Sequence, residues 1–374
     1  VDERLQRILD GIPEHELSRV AAGVLGLTAA RIDGRPTLSE ITTPHAEDRT
    51  IGIVKVSGTA GGRPWASVVK IVDLAVPEAA RVAGVTAPQN EEIVYEEGYF
   101  ASDGLPFRPA RCYGVSRPGE ALKVIWLEDL TGATPPPFSL DQIAQVARQI
   151  GEWNGRQAAE PQAVAFAVGQ DAYIPRLRRF MHVPFLEKLR ALDGTPLVRA
   201  MYGDQPIDIA FTFFALMQEL LDRNRALPHS LCFGDCSAGN LFVLGNETVA
   251  VDWASLTNDP LGCDGGCSVG SCFTWGPDYA EVLVHERELF THYLDGLSST
   301  GWRFDPLDVR RAAFGQLGHY LCNTLEIPVI IGETAWSAYI EKRYGLPLPE
   351  IPERGRRAIE MMPSYVEELR ELLA

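Results

Sequence analysis

The chain contains no apolar run approaching about eighteen residues, so nothing in it reads as a membrane-spanning helix. It is also short of positive charge: 34 Lys and Arg stand against 50 Asp and Glu, a formal net charge of −16. Nucleic-acid phosphates need a basic surface, so that class of partner is excluded; a cationic partner drawn into an acidic cleft fits the same balance. There is no Cys-x-x-Cys. Seven cysteines are present, and five fall between Cys232 and Cys272 with three or four residues separating the members of each pair. Zinc knuckles are tighter than this, and an odd total suits free thiols in a reducing compartment. No internal repeat or long low-complexity segment interrupts the pattern. The opening stretch, VDERLQRILDGIPEHELSRVAAGVLGL, starts with charge and reads as an amphipathic helix packed on the N-terminal part, not as a signal peptide, so the expected location is cytoplasmic. What remains is 374 residues, 46% apolar and 22% charged, enough for two lobes with substantial cores.

The segment 231–254, LCFGDCSAGNLFVLGNETVAVDWA, carries the chemistry. Asp235 is followed five positions later by Asn240. The apolar run Leu241–Leu244, a polar turn and a second run, Val249–Val251, lead to Asp252. This is a strand, a tight turn and a strand with Asp-x-x-x-x-Asn at one end and Asp at the other. Asp and Asn also bracket ordinary turns, but an acid closing the second strand at this distance is a rarer coincidence. A phosphoryl-transfer site needs these parts. One carboxylate orients or deprotonates a hydroxyl, and an amide oxygen with a second carboxylate holds magnesium on the phosphates.

Phe233-Gly234-Asp235…Asn240 and Val251-Asp252-Trp253 resemble the catalytic and metal loops of the aminoglycoside/choline kinase-like phosphotransferases, whose usual forms are His-Gly-Asp-x-x-x-x-Asn and Ile-Asp-Trp. Arg63-Pro64-Trp65…Val69-Lys70, Ala110-Arg111-Cys112-Tyr113-Gly114, Leu127-Glu128-Asp129-Leu130 and Ile150-Gly151-Glu152-Trp153-Asn154-Gly155 extend the similarity to an actinobacterial-looking branch, over about residues 50–270. The resemblance implies an α+β, two-lobed protein kinase-like fold with a small antiparallel-sheet N-lobe and a mainly helical C-lobe. The division expected is 1–130 and 131–374, with a cleft between the lobes.

A kinase reading demands a strand Lys paired with a helix Glu. Lys70 sits at the centre of the β-rich run Ala66–Val72, and a Lys there needs a partner. The following stretch, Asn90–Phe100, reads as a helix with acids in its first turn. Alignment with the family puts Glu91 at the ion-pair position, with Glu92 as the alternative. Ile125–Leu130 is the expected hinge, contacting adenine through its backbone at Glu128 and Leu130. Gly58, Gly61 and Gly62 lie directly before the Lys70 strand, where a hairpin turn belongs. The phosphate loop is instead expected at residues 42–50, which lack glycine and leave Arg49 as the cation. Phe233 takes the place of the usual bracing His. Asp264 in Gly262-Cys263-Asp264 is expected to anchor the loop, and Cys236 lies inside it. Helices are expected at 140–157, 205–226, 278–297, 306–326 and 353–373.

The function implied is transfer of the γ-phosphoryl of ATP to a hydroxyl of a small molecule, such as an aminoglycoside-like antibiotic or secondary metabolite. ATP and Mg2+ are the expected cofactors. Lys70, held by Glu91, would orient phosphates, Asn240 and Asp252 would ligate magnesium, and Asp235 would be the base. Two other readings stand beside it: a kinase acting on Ser or Thr of a peptide in natural-product maturation, and a catalytically weak pseudokinase-like binding protein.

Overall fold

A computed structural model of the chain describes residues 3–41, 50–74, 88–96, 100, 104–159, 177, 183–274, 279–331, 341 and 346–374. The chain divides into two compact units: Val1–Gly104 with Arg108–Ala133 and Val249–Ala254, and Leu105–Phe107 with Thr134–Thr248 and Ser255–Ala374.

The first unit is built on a five-stranded antiparallel sheet. Its strands are β1 (Thr37–Glu40), β2 (Thr50–Ala60), β3 (Arg63–Asp73), β5 (Cys112–Ser116) and β6 (Leu122–Glu128), in the order β1-β2-β3-β6-β5. A short strand, β4 (Phe107–Pro109), precedes β5. Side chains alternate across a strand, so each strand presents one face to a core. Val54, Val56, Val69, Ile71, Val124 and Trp126 share an apolar cluster with Leu5, Leu9, Ile12, Val20 and Ala21. Those last five belong to two helices and their connection, α1 (Glu3–Asp10) and α2 (Glu14–Leu25), where the sequence suggested a single helix. Gly11 closes the first, and Pro13, which lacks an N–H and has φ fixed near the helical value, starts the second. The Trp126 indole donates to Glu16 Oε1 at 3.1 Å, tying α2 to the sheet. Gly61 and Gly62, both at positive φ, form the two-residue turn between β2 and β3, with Ala60 paired to Arg63. Helix α3 (Pro88–Glu96) follows β3 in the chain.

The second unit is mainly helical. Its longer helices are α4 (Leu140–Ala159), α5 (Asp208–Asn224), α6 (Cys263–Ser271), α7 (Glu286–Ser299), α8 (Pro306–Leu325) and α9 (Ile351–Leu373). The expected helix at 278–297 is two, Tyr279–Val284 and α7, with His285 between them. The apolar spacing of α4 buries Ile143, Val146, Ala147, Ile150 and Trp153. Arg310 on α8 joins three helices, donating to Glu286 on α7 at 2.6 and 2.9 Å and to Glu368 on α9 at 2.8 Å. Strand β7 (His229–Cys232) pairs antiparallel with β10 (Thr257–Pro260), Cys232 opposite Thr257. Between them in sequence run β8 (Leu241–Leu244) and β9 (Glu247–Ala250), joined by the Gly245-Asn246 turn.

Candidate active site

In the first unit, Lys70 lies in β3 between Ile53 of β2 and Ile125 of β6. Its Nζ is 2.9 and 3.0 Å from the two carboxylate oxygens of Glu91 on α3, and 2.8 Å from Asp252 Oδ1. Lys70 and Glu91 are both buried. Burial by itself favours the neutral amine, but the charges of Asp252 and Glu91 outweigh it and hold the Lys70 pKa above the ordinary lysine value. Burial likewise pushes the Glu91 carboxyl up, and the Lys70 ammonium is the main opposing influence. The side chain of Glu92 lies outside the described residues.

Asp252 is the unusual member. Among the described residues it is the one non-glycine at positive φ, 64°. An L-residue there carries a cost of roughly 1–2 kcal/mol, least for Asn and Asp, and such conformations concentrate at functional sites. The backbone turn leaves the Asp252 side chain 47% exposed even while it accepts from Lys70. The Lys70 ammonium thus bridges two carboxylates, of which Glu91 is buried and Asp252 keeps an open side.

In the second unit, the loop after β7 holds Asp235 and Asn240, both half-buried. Asn240 Nδ2 donates to Asp235 Oδ2 at 3.0 Å and to the Asp235 carbonyl at 3.1 Å. That use of the amide nitrogen leaves the amide oxygen as an acceptor. Asp264, at the start of α6, fixes the approach to this loop. Its carboxylate accepts from Phe233 N–H at 2.7 Å, Gly234 N–H at 2.9 Å and Asn154 Nδ2 at 3.0 Å. Asn154 also donates to the Leu231 carbonyl at 3.2 Å and accepts from the Tyr293 hydroxyl at 3.0 Å. Burial pushes Asp264 above the usual carboxylate range in spite of these donors. Gly234 sits at φ 83°, and a Cβ there would run into the Ser255 carbonyl, so only glycine fits. Phe233 is fully buried with its ring edge-on to Phe107 at 6.1 Å. Cys236 is also fully buried, and burial raises its thiol well above its ordinary pKa, which removes the thiolate that oxidation requires.

The expected hinge residues end β6. Ser67 Oγ donates to the Leu127 carbonyl at 2.7 Å, and Glu128 N–H donates to the Arg111 carbonyl at 2.8 Å. The Glu128 carboxylate is held by Arg108 at 2.9 and 3.3 Å and by Arg111 N–H. Burial pushes Glu128 up, but these donors more than offset it and lower its pKa. The Leu130 carbonyl accepts from Ala133 N–H. Arg49 and residues 42–48 lie outside the described residues.

The structure therefore joins Lys70, Glu91 and Asp252 in one cluster and Asp235 with Asn240 in another. The part of Tyr293 in bracing Asn154 had no signal in the sequence, because the two are 139 residues apart. Taken unit by unit, the oxygens on offer are hard donors of the kind a divalent cation takes: a half-exposed carboxylate at Asp252 in the first unit, and the amide oxygen of Asn240 in the second.

An antiparallel sheet with a strand Lys bonded to a helix Glu, and a helical unit with an Asp-x-x-x-x-Asn loop, define a protein kinase-like fold. Residues 86–323, more than half of the chain, match the model described as the phosphotransferase enzyme family (APH), and the chain belongs to that family. Among solved structures it is similar to the microcompartment-associated aminopropanol kinase, at a TM-score of 0.50 and 11% identity over 94% of this chain and 98% of that one. It is also similar to an amicoumacin kinase, at 0.48 and 11% over 93% and 96%, and to a choline kinase from Streptococcus pneumoniae, at 0.45 and 12% over 97% and 100%. No curated protein matches the sequence.

Proposed function

We propose that the chain transfers the γ-phosphoryl group of ATP to a hydroxyl of a small, positively charged molecule. The observation that carries this reading is the buried Lys70 held between Glu91 and Asp252, an arrangement with a cost in buried charge and backbone strain that a merely structural strand has no need of. Lys70 binds the α and β phosphates. Asp252 and Asn240 would hold magnesium through their side-chain oxygens, and the ion would supply neutralisation of phosphate charge. Asp235, oriented by Asn240 Nδ2, accepts the proton of the acceptor hydroxyl as the phosphoryl group leaves. Most of the rate gain is positioning and electrostatics. The net charge of −16 supports a cationic acceptor.

The test is ADP release from ATP-Mg against a panel of amino alcohols and aminoglycosides, with calorimetric titration of ATP-Mg alongside. The wild type should bind ATP-Mg and turn over at least one acceptor. Asp235→Asn should retain nucleotide binding and lose turnover by at least about a hundredfold. Near wild-type turnover in that variant, or no nucleotide binding by the wild type, refutes the reading.

A further inference from the structure

Glu326, which directly follows α8 in the second unit, has a carboxyl that the fold leaves unmatched. Its Oε1 is shut off from water with no hydrogen-bond partner, although the residue as a whole is partly exposed. A buried polar atom of this kind is uncommon, because it has lost water without gaining a bond. Glu286 and Glu368, by contrast, are both bonded to Arg310, and Asp264 accepts from Phe233, Gly234 and Asn154. The elements packed here carry His319 and Cys322 of α8, Arg199 and Tyr202 of the helix Pro196–Tyr202, Lys188 of the helix Val183–Ala191, and Arg354 of α9. Tyr202 donates to the Leu325 carbonyl at 3.4 Å and Arg354 to the Phe273 carbonyl at 3.1 Å. Burial lifts the Glu326 pKa to about 8, so the carboxyl is largely protonated at neutral pH.

The packing of α6 on α8 ties this carboxyl to the Asp235 loop. A Cβ on Gly262, Gly266 or Gly270 would meet Val309, Ala313 or Leu317 in turn, so the two helices run in the same direction at close approach. Cys267 Sγ and the Tyr320 hydroxyl are 3.3 Å apart. At the end of α6, Ser271 Oγ accepts from the Ala238 N–H at 2.8 Å, inside the Asp235–Asn240 loop. The C-terminal end of α8 therefore lies at the same end of the unit as that loop. Glu326 comes after Tyr320 by about 9 Å of helix rise. His319, Asn323 and Glu326 recur at helical spacing, so they share one face; all three are partly exposed, and the other residues from 320 to 325 are buried. His319 Nε2 and Asn323 Nδ2 are 3.3 Å apart. An accessible polar face that ends in an unmatched carboxyl suits an organic cation that also bears hydroxyls. We propose that Glu326 anchors a cationic amino group of the acceptor, which becomes the ion-pair partner of its carboxylate while the carboxyl proton passes to solvent. The inference rests on the phosphotransferase reading above for the role of that cation, and cation and nucleotide are measured separately.

The experiment is calorimetric titration of the full chain with choline, 1-amino-2-propanol, kanamycin and the uncharged polyol inositol, in two buffers of different ionisation enthalpy at pH 7. ATP-Mg is titrated alongside, and thermal unfolding checks that each variant is folded. The wild type should bind at least one of the three cations and not inositol. Glu326→Gln, neutral and of the same size, should bind that cation about tenfold more weakly with ATP-Mg affinity unchanged. The wild type should also release about one proton more than Glu326→Gln on binding it, because a carboxyl protonated in the free protein is ionised in the complex. Relative to Glu326→Gln, wild-type affinity should rise about tenfold from pH 6 to pH 7, since the carboxylate form grows tenfold per unit below a pKa of about 8. Asp208→Asn, which alters an acid 78% exposed, should leave cation affinity unmoved. Equal affinity or equal proton release in Glu326→Gln, an equal loss in Asp208→Asn, or a wild type that binds none of the cations overturns the proposal. Glu326-dependent cation binding without ATP-Mg binding sinks the phosphotransferase reading alone; ATP-Mg binding without cation binding sinks this proposal alone.

Discussion

Replacing Asp264 with Ala should loosen the catalytic loop without touching any group that meets substrate. The buried Asp264 carboxylate accepts the Phe233 and Gly234 N–H groups and Asn154 Nδ2, all within 3.0 Å. Asn154 keeps its bond to the Leu231 carbonyl, but both backbone donors lose their acceptor. An unsatisfied buried donor costs about 1–3 kcal/mol, so the two together cost roughly 2–6 kcal/mol. Removing a carboxylate that burial already disfavours returns part of this, which leaves a net loss of about 3 kcal/mol. Asp264→Asn retains one acceptor oxygen and should fall about midway. The assay is urea unfolding, read as a lowered midpoint at unchanged slope. Activity gives a second reading: Asp235 follows Gly234 directly, so kcat should drop in both variants with the KM for ATP nearly unchanged. Stability of Asp264→Ala within about 0.5 kcal/mol of wild type would refute the claim that this carboxylate holds the loop.

Two further predictions concern charge. Asp252→Asn is the informative metal variant, because Asn tolerates the left-handed backbone at φ 64° whereas Ala would add strain; ATP binding in it should become nearly independent of magnesium, and an undiminished magnesium dependence by calorimetry rejects Asp252 as a ligand. Glu326 should make stability fall with rising pH. Burial lifts its pKa from 4.5 to about 8, so this acid costs nothing below its unfolded pKa and destabilises progressively as pH climbs from 4.5 through 8. The cost is roughly 3–5 kcal/mol at the upper end. Glu326→Gln should flatten that slope in urea titrations at several pH values, and an unchanged slope would place the carboxyl in water.

Local pattern was enough to place most of the parts. The run of β-branched residues through Ala66–Val72 marks a strand, and Lys70 stands out because an ammonium there must be matched. The spacing of Ile143, Val146, Ile150 and Trp153 marks α4 before any packing is known. The run from Asp235 through Asn240 to Asp252 is legible for the same reason: its elements are short, consecutive and joined by tight turns. The breaks at Gly11–Pro13 and at His285 were less legible, because apolar periodicity continues across them while the backbone does not.

The sequence by itself determined the class of chemistry, since residue type and spacing within one short segment fix which oxygens are on offer. Only the tertiary structure decided how those groups are used. Asp252 turns left-handed and takes a bond from Lys70, 182 residues away, and Asp264 gathers the Phe233, Gly234 and Asn154 donors under the loop. Lys55 and Asp129 meet only because β3 lies between β2 and β6 in the sheet. Such pairings join positions far apart in the chain, and their energies come from burial and excluded water, which no local pattern of residues carries.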